Sequence, residues 1–292
     1  MQELIEKAST LVESLPYIRK FYGKTIVVKY GGSAMVETEL KNNFAKDIVL
    51  LKYVGINPII VHGGGPQIAE MLGKMGIKTK FVSGMRVTDK ETMSVVEMVL
   101  AGKVNKDIVN LINKNGGSAI GLSGKDGHLL TAEKLMVEND STILQAPEIM
   151  DIGHVGRVKG VDADVIQAVS KDFIPIIAPV GIGDDYEAYN INADLVAGSV
   201  AAAVKAEKLI MLTDVRGVLD NDGNLISSIK ANDVPGLKND KIIKGGMIPK
   251  TDAAVTALEA GVNKAHIVDG RILHSVLLEI FTDSGIGTQI TL

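Results

Sequence analysis

The chain has 292 residues, 46% of them hydrophobic but only 4% aromatic, and a formal charge of −4. Its Lys and Arg residues spread along the whole length, which excludes the basic patch of a nucleic-acid or anionic-membrane binder. Cysteine is absent, so disulfides, thiolate nucleophiles and Cys-ligated metals are excluded as well.

Residues 1–15 carry Leu4, Ala8 and Leu11, continued by Leu15 and Ile18, at the spacings of an amphipathic helix. Pro16 is expected to interrupt that helix. This opening segment mixes Glu and Lys and lacks the apolar core of a secretory signal. The longest uncharged apolar runs carry Pro and Gly and fall short of the roughly 18 residues that cross a bilayer. A soluble, cytoplasmic protein is expected.

From residue 25 strands and helices alternate. Thr25–Tyr30 is a β-branched strand, 37–54 a helix, and 58–61 a second strand that runs into a glycine-rich turn and another helix. Pro66 suits the first turn of that helix, where its missing N–H is no loss. Thr88 and Glu91 have capping-box spacing and open a long helix to about residue 113. A strand follows at 118–122. Residues 127–161 alternate in short runs and read as β-hairpins decorating the main sheet.

The rhythm then resumes with strand 173–178, helix 193–205 and strand Lys208–Thr213. A turn lies at Asn221-Asp222-Gly223-Asn224. Helix 248–260, strand 265–268, a helix near 273–280 and a last strand near 289–292 complete the chain. Such alternation implies an α/β fold with a mostly parallel sheet and helices on both faces.

Three glycine-rich turns each follow a predicted strand: Lys29-Tyr30-Gly31-Gly32-Ser33, His62-Gly63-Gly64-Gly65-Pro66 and Pro179-Val180-Gly181-Ile182-Gly183. Ligands of parallel sheets bind outside the carboxyl ends of strands, and glycine lets backbone N–H groups approach anionic oxygens. One such turn is ordinarily just a tight turn; three together, with a Lys at a strand end, favour an anion site. Lys29 closes a buried strand, where an unpaired ammonium is costly.

Lys250, in Gly245-Gly246-Met247-Ile248-Pro249-Lys250, sits in the first turn of a helix. There the macrodipole disfavours a cation unless an anion is near, although a solvated surface Lys fits equally well. Asn190, Asn192 and Asp194 gather at another helix start, where Asn192 can serve simply as the N-cap. Arg86, in Gly84-Met85-Arg86-Val87-Thr88, is suited to grip a carboxylate, though a lone Arg is more often a surface residue. No phosphate-loop or dinucleotide fingerprint is present, no nucleophile elbow accompanies His62-Gly63-Gly64-Gly65, and the five His show no metal-site spacing.

Six segments stand in order: Val28 to Ser33, Val61 to Pro66, Gly84 to Asp89, Tyr189 to Asp194, Leu212 to Val218, and Gly245 to Lys250. Together they resemble the amino acid kinase family, from about residue 21 to the C-terminus, and within it the branch that phosphorylates N-acetyl-L-glutamate. That resemblance implies a three-layer αβα sandwich around a mainly parallel sheet, with an N-terminal helix extension. It implies an oligomerisation helix at 1–20, a lobe at 21–180 for the acyl amino acid and dimerisation, and a lobe at 181–292 for ATP.

Carried onto this sequence, Lys29 and Lys250 stabilise charge on the transferring phosphoryl group and Asp194 orients them. Gly31, Gly32 and Gly64 donate N–H groups to phosphate oxygens, and Gly64 and Gly65 also line the substrate pocket. Arg86 and Asn190 hold the substrate. Asp214 and Gly217, with Gly245 and Gly246, belong to the nucleotide site.

The implied cofactors are ATP and Mg²⁺, without a protein metal site. The N-terminal helix and the tail from Glu279 to Thr288 resemble the arginine-inhibited members. In those, Lys208, Glu279 and Gly285 would contact L-arginine, and the chain would form a hexamer built as a trimer of dimers. A nitrogen-status signalling protein is a further partner of some members. A sister kinase acting on another carboxylate, carbamate or UMP, or a non-catalytic arginine sensor, stays open as the alternative.

Overall fold

The computed structural model describes residues 1–82, 85–139, 148–283 and 285–292. Gly84, Ser284 and the tip of the expected hairpin region lie outside the described residues. In chain order the strands begin with β1 (Thr25–Tyr30), β2 (Asn57–His62), β3 (Phe81–Val82), β4 (Met85–Arg86) and β5 (Ala119–Ser123). Next come β6 (Leu130–Asn139), β7 (Glu148–Val161), β8 (Ile174–Ala178), β9 (Val180–Ile182) and β10 (Ala188–Ile191). The last are β11 (Lys208–Thr213), β12 (Ser228–Lys230), β13 (Lys264–Asp269) and β14 (Thr288–Thr291).

Eight strands form one sheet in the order β12-β14-β13-β11-β1-β2-β8-β5. Every neighbouring pair is parallel except β13–β14. Strand geometry sends successive side chains to opposite faces, and the packing follows that alternation. Ile26, Val28 and Tyr30 join one core cluster while Val27 joins the other. Likewise Ile210 and Leu212 face one side and Leu209 and Met211 the other.

The helices supply the outer layers. The first are α1 (Gln2–Glu13), α2 (Leu15–Phe21), α3 (Thr38–Tyr53), α4 (Gly65–Lys74), α5 (Lys90–Glu97) and α6 (Asn105–Lys114). They continue as α7 (Ala163–Ser170), α8 (Ala193–Ala203), α9 (Val234–Asn239), α10 (Met247–Glu259) and α11 (Ser275–Ile280). Phe44 and Ile48 of α3, Ile108 of α6 and Val276 of α11 cover the face of Val28. Val196 and Val200 of α8 and Ala254 and Ala257 of α10 cover the face of Val27. The result is the αβα sandwich that the alternation predicts.

The structure departs from the sequence-based elements in four places; in the first, Val180–Ile182, expected within a glycine-rich turn, is strand β9. Asp89, not Thr88, caps α5, its carboxylate accepting from Thr92 N at 2.8 Å. Thr88 cannot serve: its backbone N–H donates to Ile152 O, its carbonyl accepts from His154 N, and its hydroxyl donates to Arg86 O. The long helix is also broken by a π-helical segment, Met98–Val104, between α5 and α6. Finally, the alternating region closes with later strands into a small barrel, β10-β7-β6-β9, instead of lying on the main sheet. Glycines make that curvature affordable: a Cβ on Gly181 would lie 2.7 Å from Ile191 Cδ1, and one on Gly156 2.9 Å from Tyr189 Cβ.

At the N-terminus the chain breaks where Pro16 predicts, with α2 starting at Leu15 and Pro16 in its first turn. The apolar stripe of α1 finds no cover among the described residues: Leu4 is 63% exposed and Leu11 74%.

Candidate functional site

The odd-numbered face of β1 carries Lys29 beyond Val27, toward α8 and α10. These two helices approach closely because Gly198 has no side chain; a Cβ there would lie 2.7 Å from Ala253 O. Asp194 stands one turn before Gly198 and Lys250 about one turn before Ala253, so the same contact brings both polar groups over the end of β1. Lys250 Nζ donates to Asp194 Oδ2 at 2.8 Å, and Lys29 Nζ lies 3.1 Å from Oδ1. The Lys29 contact is an ion pair without hydrogen-bond alignment, since no well-aligned donor reaches Oδ1 among the described residues.

All three groups are nearly sealed from solvent. Burial drives the Lys29 ammonium below its ordinary range against the attraction of Asp194, and Lys250 adds repulsion. Burial also pushes the Asp194 carboxyl up, but the two ammonium groups together hold it below the usual carboxylate range. Asp214, the second acid near Lys29, is held at the Ser33 N–H, so the two ammonium groups share only Asp194 between them and stand ready for an anion.

Asn192 is the α8 N-cap, its side-chain oxygen accepting from Asp194 N at 2.8 Å and thereby fixing the first turn that carries Asp194. Asn190, two residues earlier, lies on β10, paired with Val180 and Val155 in the small barrel. The barrel thus delivers its strand end directly to the site.

Two glycine turns flank the cluster. A Cβ on Gly31 would sit 2.7 Å from Lys29 Nζ, so any side chain there would displace the ammonium. Gly32 has φ +69°, and its missing side chain leaves space for the Asp214 carboxylate, which accepts from Ser33 N at 2.6 Å. In the second turn, a Cβ on Gly64 would press on Leu100 Cδ2 at 2.5 Å. Among the described residues, no acceptor takes the N–H of Gly31 or Gly64, so both are free to bind oxygens.

Arg86 is buried on the short β3–β4 ribbon, an element too brief to leave a pattern in the sequence. Its guanidinium donates to Thr79 Oγ1 at 2.7 Å and Gly65 O at 3.3 Å, and lies 4.7 Å from the Phe81 ring centre. It is therefore no solvated surface residue, and it adjoins the glycine turn.

Beyond Lys250 opens a cavity of about 530 Å³, lined among others by Val215, Gly217, Leu219, Met247 and Lys250. Gly246 lines it too, whereas Asp214 and Gly245 do not. Gly217 has φ +147°, and a Cβ there would meet Thr288 Oγ1 at 2.5 Å. Asp220, Asn221, Lys241 and Lys244 also line this space. Sequence reasoning missed them, reading 221–224 only as a turn.

A second cavity, about 270 Å³, lies at the opposite edge of the sheet between α2 and α11. It joins Lys208, Glu279 and Gly285 with Tyr17, Phe21 and His266. His266 Nδ1 and Glu279 Oε1 are 2.5 Å apart. Burial lowers the His266 pKa, and it raises that of Glu279 until His266 and the Ile286 N–H pull it below the usual range. The Lys208 ammonium, 5.2 Å from the Phe21 ring centre, donates to Glu279 O at 3.3 Å. Gly285 has φ +60°, and a Cβ would lie 2.9 Å from Glu279 Oε2.

Comparison with known proteins bears on the whole chain. Residues 24–269 match the model of the amino acid kinase family. Acetylglutamate kinase of Citrifermentans bemidjiense is 62% identical over 291 residues, covering 99% of both chains. That of Syntrophobacter fumaroxidans is 59% identical over 288 residues, or 98% of this chain and 97% of the other.

Among solved structures, N-acetylglutamate synthase from Neisseria gonorrhoeae with coenzyme A and N-acetyl-glutamate superposes with a TM-score of 0.82 at 27% identity. The match covers 98% of this chain but 63% of the synthase, so this chain spans less than two thirds of that protein. Carbamate kinase from Giardia lamblia bound to AMP-PNP shares the fold, with a TM-score of 0.64 at 15% identity, covering 92% of this chain and 98% of that one. With a family model over most of its length and near-full-length relatives around 60% identical, the chain belongs to the amino acid kinase family.

Proposed function

We propose that the protein transfers the γ-phosphoryl group of ATP to the γ-carboxylate of N-acetyl-L-glutamate, giving N-acetyl-L-glutamyl 5-phosphate for arginine biosynthesis. The observation that carries this reading is the buried cluster in which Asp194 holds Lys29 and Lys250 between two glycine turns with free N–H groups. The near-full-length relatives named acetylglutamate kinase select the acceptor.

In this reading residues 21–180 hold the acyl amino acid and residues 181–292 the nucleotide. The γ-carboxylate is already anionic, so no base is required. One of its oxygens forms a bond to the γ-phosphorus as the bond to the bridging oxygen of ADP breaks. Lys29 and Lys250 offset the charge of the in-flight phosphoryl group, and Gly31, Gly32 and Gly64 direct N–H groups at its oxygens. Arg86 and Asn190, with Gly65, position the substrate's α-carboxylate and acetamido end. Gly217 and Gly246 shape the nucleotide cavity, with Asp214 and Gly245 supporting the turns beside it.

Magnesium fits as an ion carried by the nucleotide. Among the described residues no group of three acidic, His or Cys side chains is placed for a metal. The adjacent carboxylates, Asp194 and Asp214, are already engaged by Lys29, Lys250 and the Ser33 N–H. Mg²⁺ characteristically relies on substrate phosphates, where it would offset charge on the nucleotide.

The second cavity supports feedback inhibition by L-arginine. Buried Glu279 offers a carboxylate to a cationic ligand, while Lys20, Lys208 and Lys264 line the same space for a carboxylate. The uncovered stripe of α1 supports a homo-oligomer, a hexamer built as a trimer of dimers, in which that helix packs on a neighbouring subunit.

The test is ATP- and Mg²⁺-dependent acyl-phosphate formation trapped as hydroxamate, comparing N-acetyl-L-glutamate with L-glutamate, with and without L-arginine. Turnover confined to the acetylated substrate and suppressed by arginine supports the full reading. Turnover without suppression keeps the kinase and removes the feedback. No turnover on either substrate sinks the assignment.

A further inference from the structure

His62 ends β2 immediately before the Gly63–Gly65 turn and is completely buried. Its Nδ1 lies 2.8 Å from Gly63 O, and its Nε2 lies 3.2 Å from Asn105 Nδ2. The network fixes the tautomer of the ring. Asn105 Nδ2 also lies 2.8 Å from Ile176 O and 3.4 Å from Leu122 O, and carbonyls only accept. The group facing them is therefore the amide nitrogen, a donor, and Nε2 of His62 must accept from it. The proton then sits on Nδ1, which donates to Gly63 O. Burial keeps the ring neutral, driving its pKa down to about 4.

The consequence passes through one peptide plane. The Gly63–Gly64 bond is trans, so its C=O and N–H point in opposite directions. Holding Gly63 O toward the His62 ring turns the Gly64 N–H away from the ring, with no acceptor inside the described protein. The π-helical segment completes the clamp. Leu100 packs against Gly64 from within it, and Asn105 follows its last residue, Val104. A single irregular turn thus supplies both the apolar wall of the loop and the donor that sets the His62 tautomer; π segments are often kept for such local tasks.

We propose that His62, held by Asn105 as its neutral Nδ1–H tautomer, is a positioning residue that aims the Gly64 N–H at the transferring phosphoryl group. The inference rests on the proposed kinase reading. His62 is sealed from solvent and acts through the peptide it orients. Asn at position 62 can present its amide N–H near the place of Nδ1, whereas Leu cannot.

The experiment compares wild type with His62→Leu, His62→Asn and Asn105→Ala. Thermal melting and nucleotide binding establish that each variant is folded. We expect His62→Leu to lower kcat by about 10²-fold, the scale of a misaimed catalytic group, with KM for both substrates changed less than threefold. His62→Asn should recover at least tenfold of that loss. Equal losses in the Leu and Asn variants, or a loss borne by KM alone, would overturn the proposal.

A readout independent of turnover is the ¹⁵N spectrum of the His62 ring in the full chain at pH 7. Protonated Nδ1 and unprotonated Nε2 are expected, with Asn105→Ala relaxing that preference. A protonated Nε2 in wild type overturns the clamp even if the enzyme is active. Absence of wild-type turnover with the expected tautomer overturns the kinase reading and with it the catalytic role of the clamp, while leaving the hydrogen-bond arrangement intact.

Discussion

The two ends of the sheet solve similar problems with opposite results. Lys29 closes β1 at the carboxyl edge, and Lys208 opens the adjacent β11 at the amino edge, where it pairs in register with Ile26. Both lysines are buried and both lie near a buried acid. At the carboxyl edge one carboxylate is shared by two ammonium groups, and the chain turns away through glycines that leave N–H groups bare. Asp214 adds a second acid near Lys29, so it is the bare N–H groups beside the two ammonium groups that suit this edge to phosphate. At the amino edge Lys20, Lys208 and Lys264 are balanced by Glu207, Glu279 and Asp283 around one cavity. A balanced lining suits a ligand bearing both signs, such as an amino acid. Buried lysine by itself therefore says little; the presence or absence of free N–H groups beside it decides what is bound.

The sharpest way to break this comparison is at Lys29. Lys29→Ala is expected to lower kcat by about 10²–10³-fold, the scale of losing one donor to a developing charge. Arginine binding at the far edge, followed by calorimetry, should stay within twofold. Unchanged turnover would remove Lys29 from the reaction; lost arginine binding would show that the two edges are not independent.

The converse variant is Glu279→Gln. It keeps the shape of the cavity but removes the charge that a guanidinium would meet. A charge-assisted hydrogen bond contributes roughly 1.5–3 kcal/mol, so the arginine concentration for half-inhibition should rise about 10- to 100-fold. Turnover without arginine should move less than twofold. Deleting residues 1–20 removes Tyr17 and Lys20 from the same cavity along with α1. It should give an active dimer with weaker arginine inhibition; a retained hexamer on a sizing column with light scattering would contradict the oligomeric reading.

A smaller effect probes how the carboxyl edge is assembled. Gly198→Val forces a side chain onto the Ala253 backbone and parts α8 from α10. Asp194 and Lys250 then separate, and a displacement of a fraction of an ångström should cost about 10-fold in kcat while α1 and the arginine cavity are untouched. A variant as fast as wild type would mean that the helix contact does not set the ion pair.

Much of this was legible in the sequence because it follows from local rules. The alternation of strands and helices, the glycine turns after β1 and β2 and the strand-end Lys29 all follow from backbone chemistry within a few residues, whereas Val180–Ile182, expected within a third turn, is strand β9. The partnership of Lys29 with Lys250 is different, since it depends on two helices meeting at Gly198, with Asp194 and Lys250 separated by 56 residues. No local pattern encodes that contact, and only the family resemblance brought the two lysines together. The barrel was misread as hairpins on the main sheet because alternation reports strands but not closure. The Thr88 cap failed because a tertiary partner, the β7 backbone, claimed the residue first. His62 and Asn105 escaped notice for the same reason: their meaning lies in a buried network across three elements.

The smallest expected effect concerns pH: His266, whose pKa burial also lowers, adds to the slope of His62, and the comparison is made at two groups outside both ion-pair clusters. Asp47, buried against His274 Nδ1 at 2.6 Å, has its pKa pushed up to about 6 by burial, which outweighs the His274 contact. His62 is driven down to about 4, also by burial. A carboxyl with a raised folded pKa binds more protons folded than unfolded, so its contribution is present below pH 3.8 and declines as pH rises toward 6. A histidine with a lowered folded pKa binds fewer protons folded, so its contribution is present above pH 6.5 and declines as pH falls toward 4. Between pH 4 and 6 the two slopes oppose each other, each at most about 1.4 kcal/mol per pH unit. Removing one group should expose the other. Urea midpoints at pH 4.5 and 6 should show His62→Asn losing relative stability as pH rises, and Asp47→Asn gaining it. Parallel responses of both variants would mean that these two groups do not balance the pH profile of the fold.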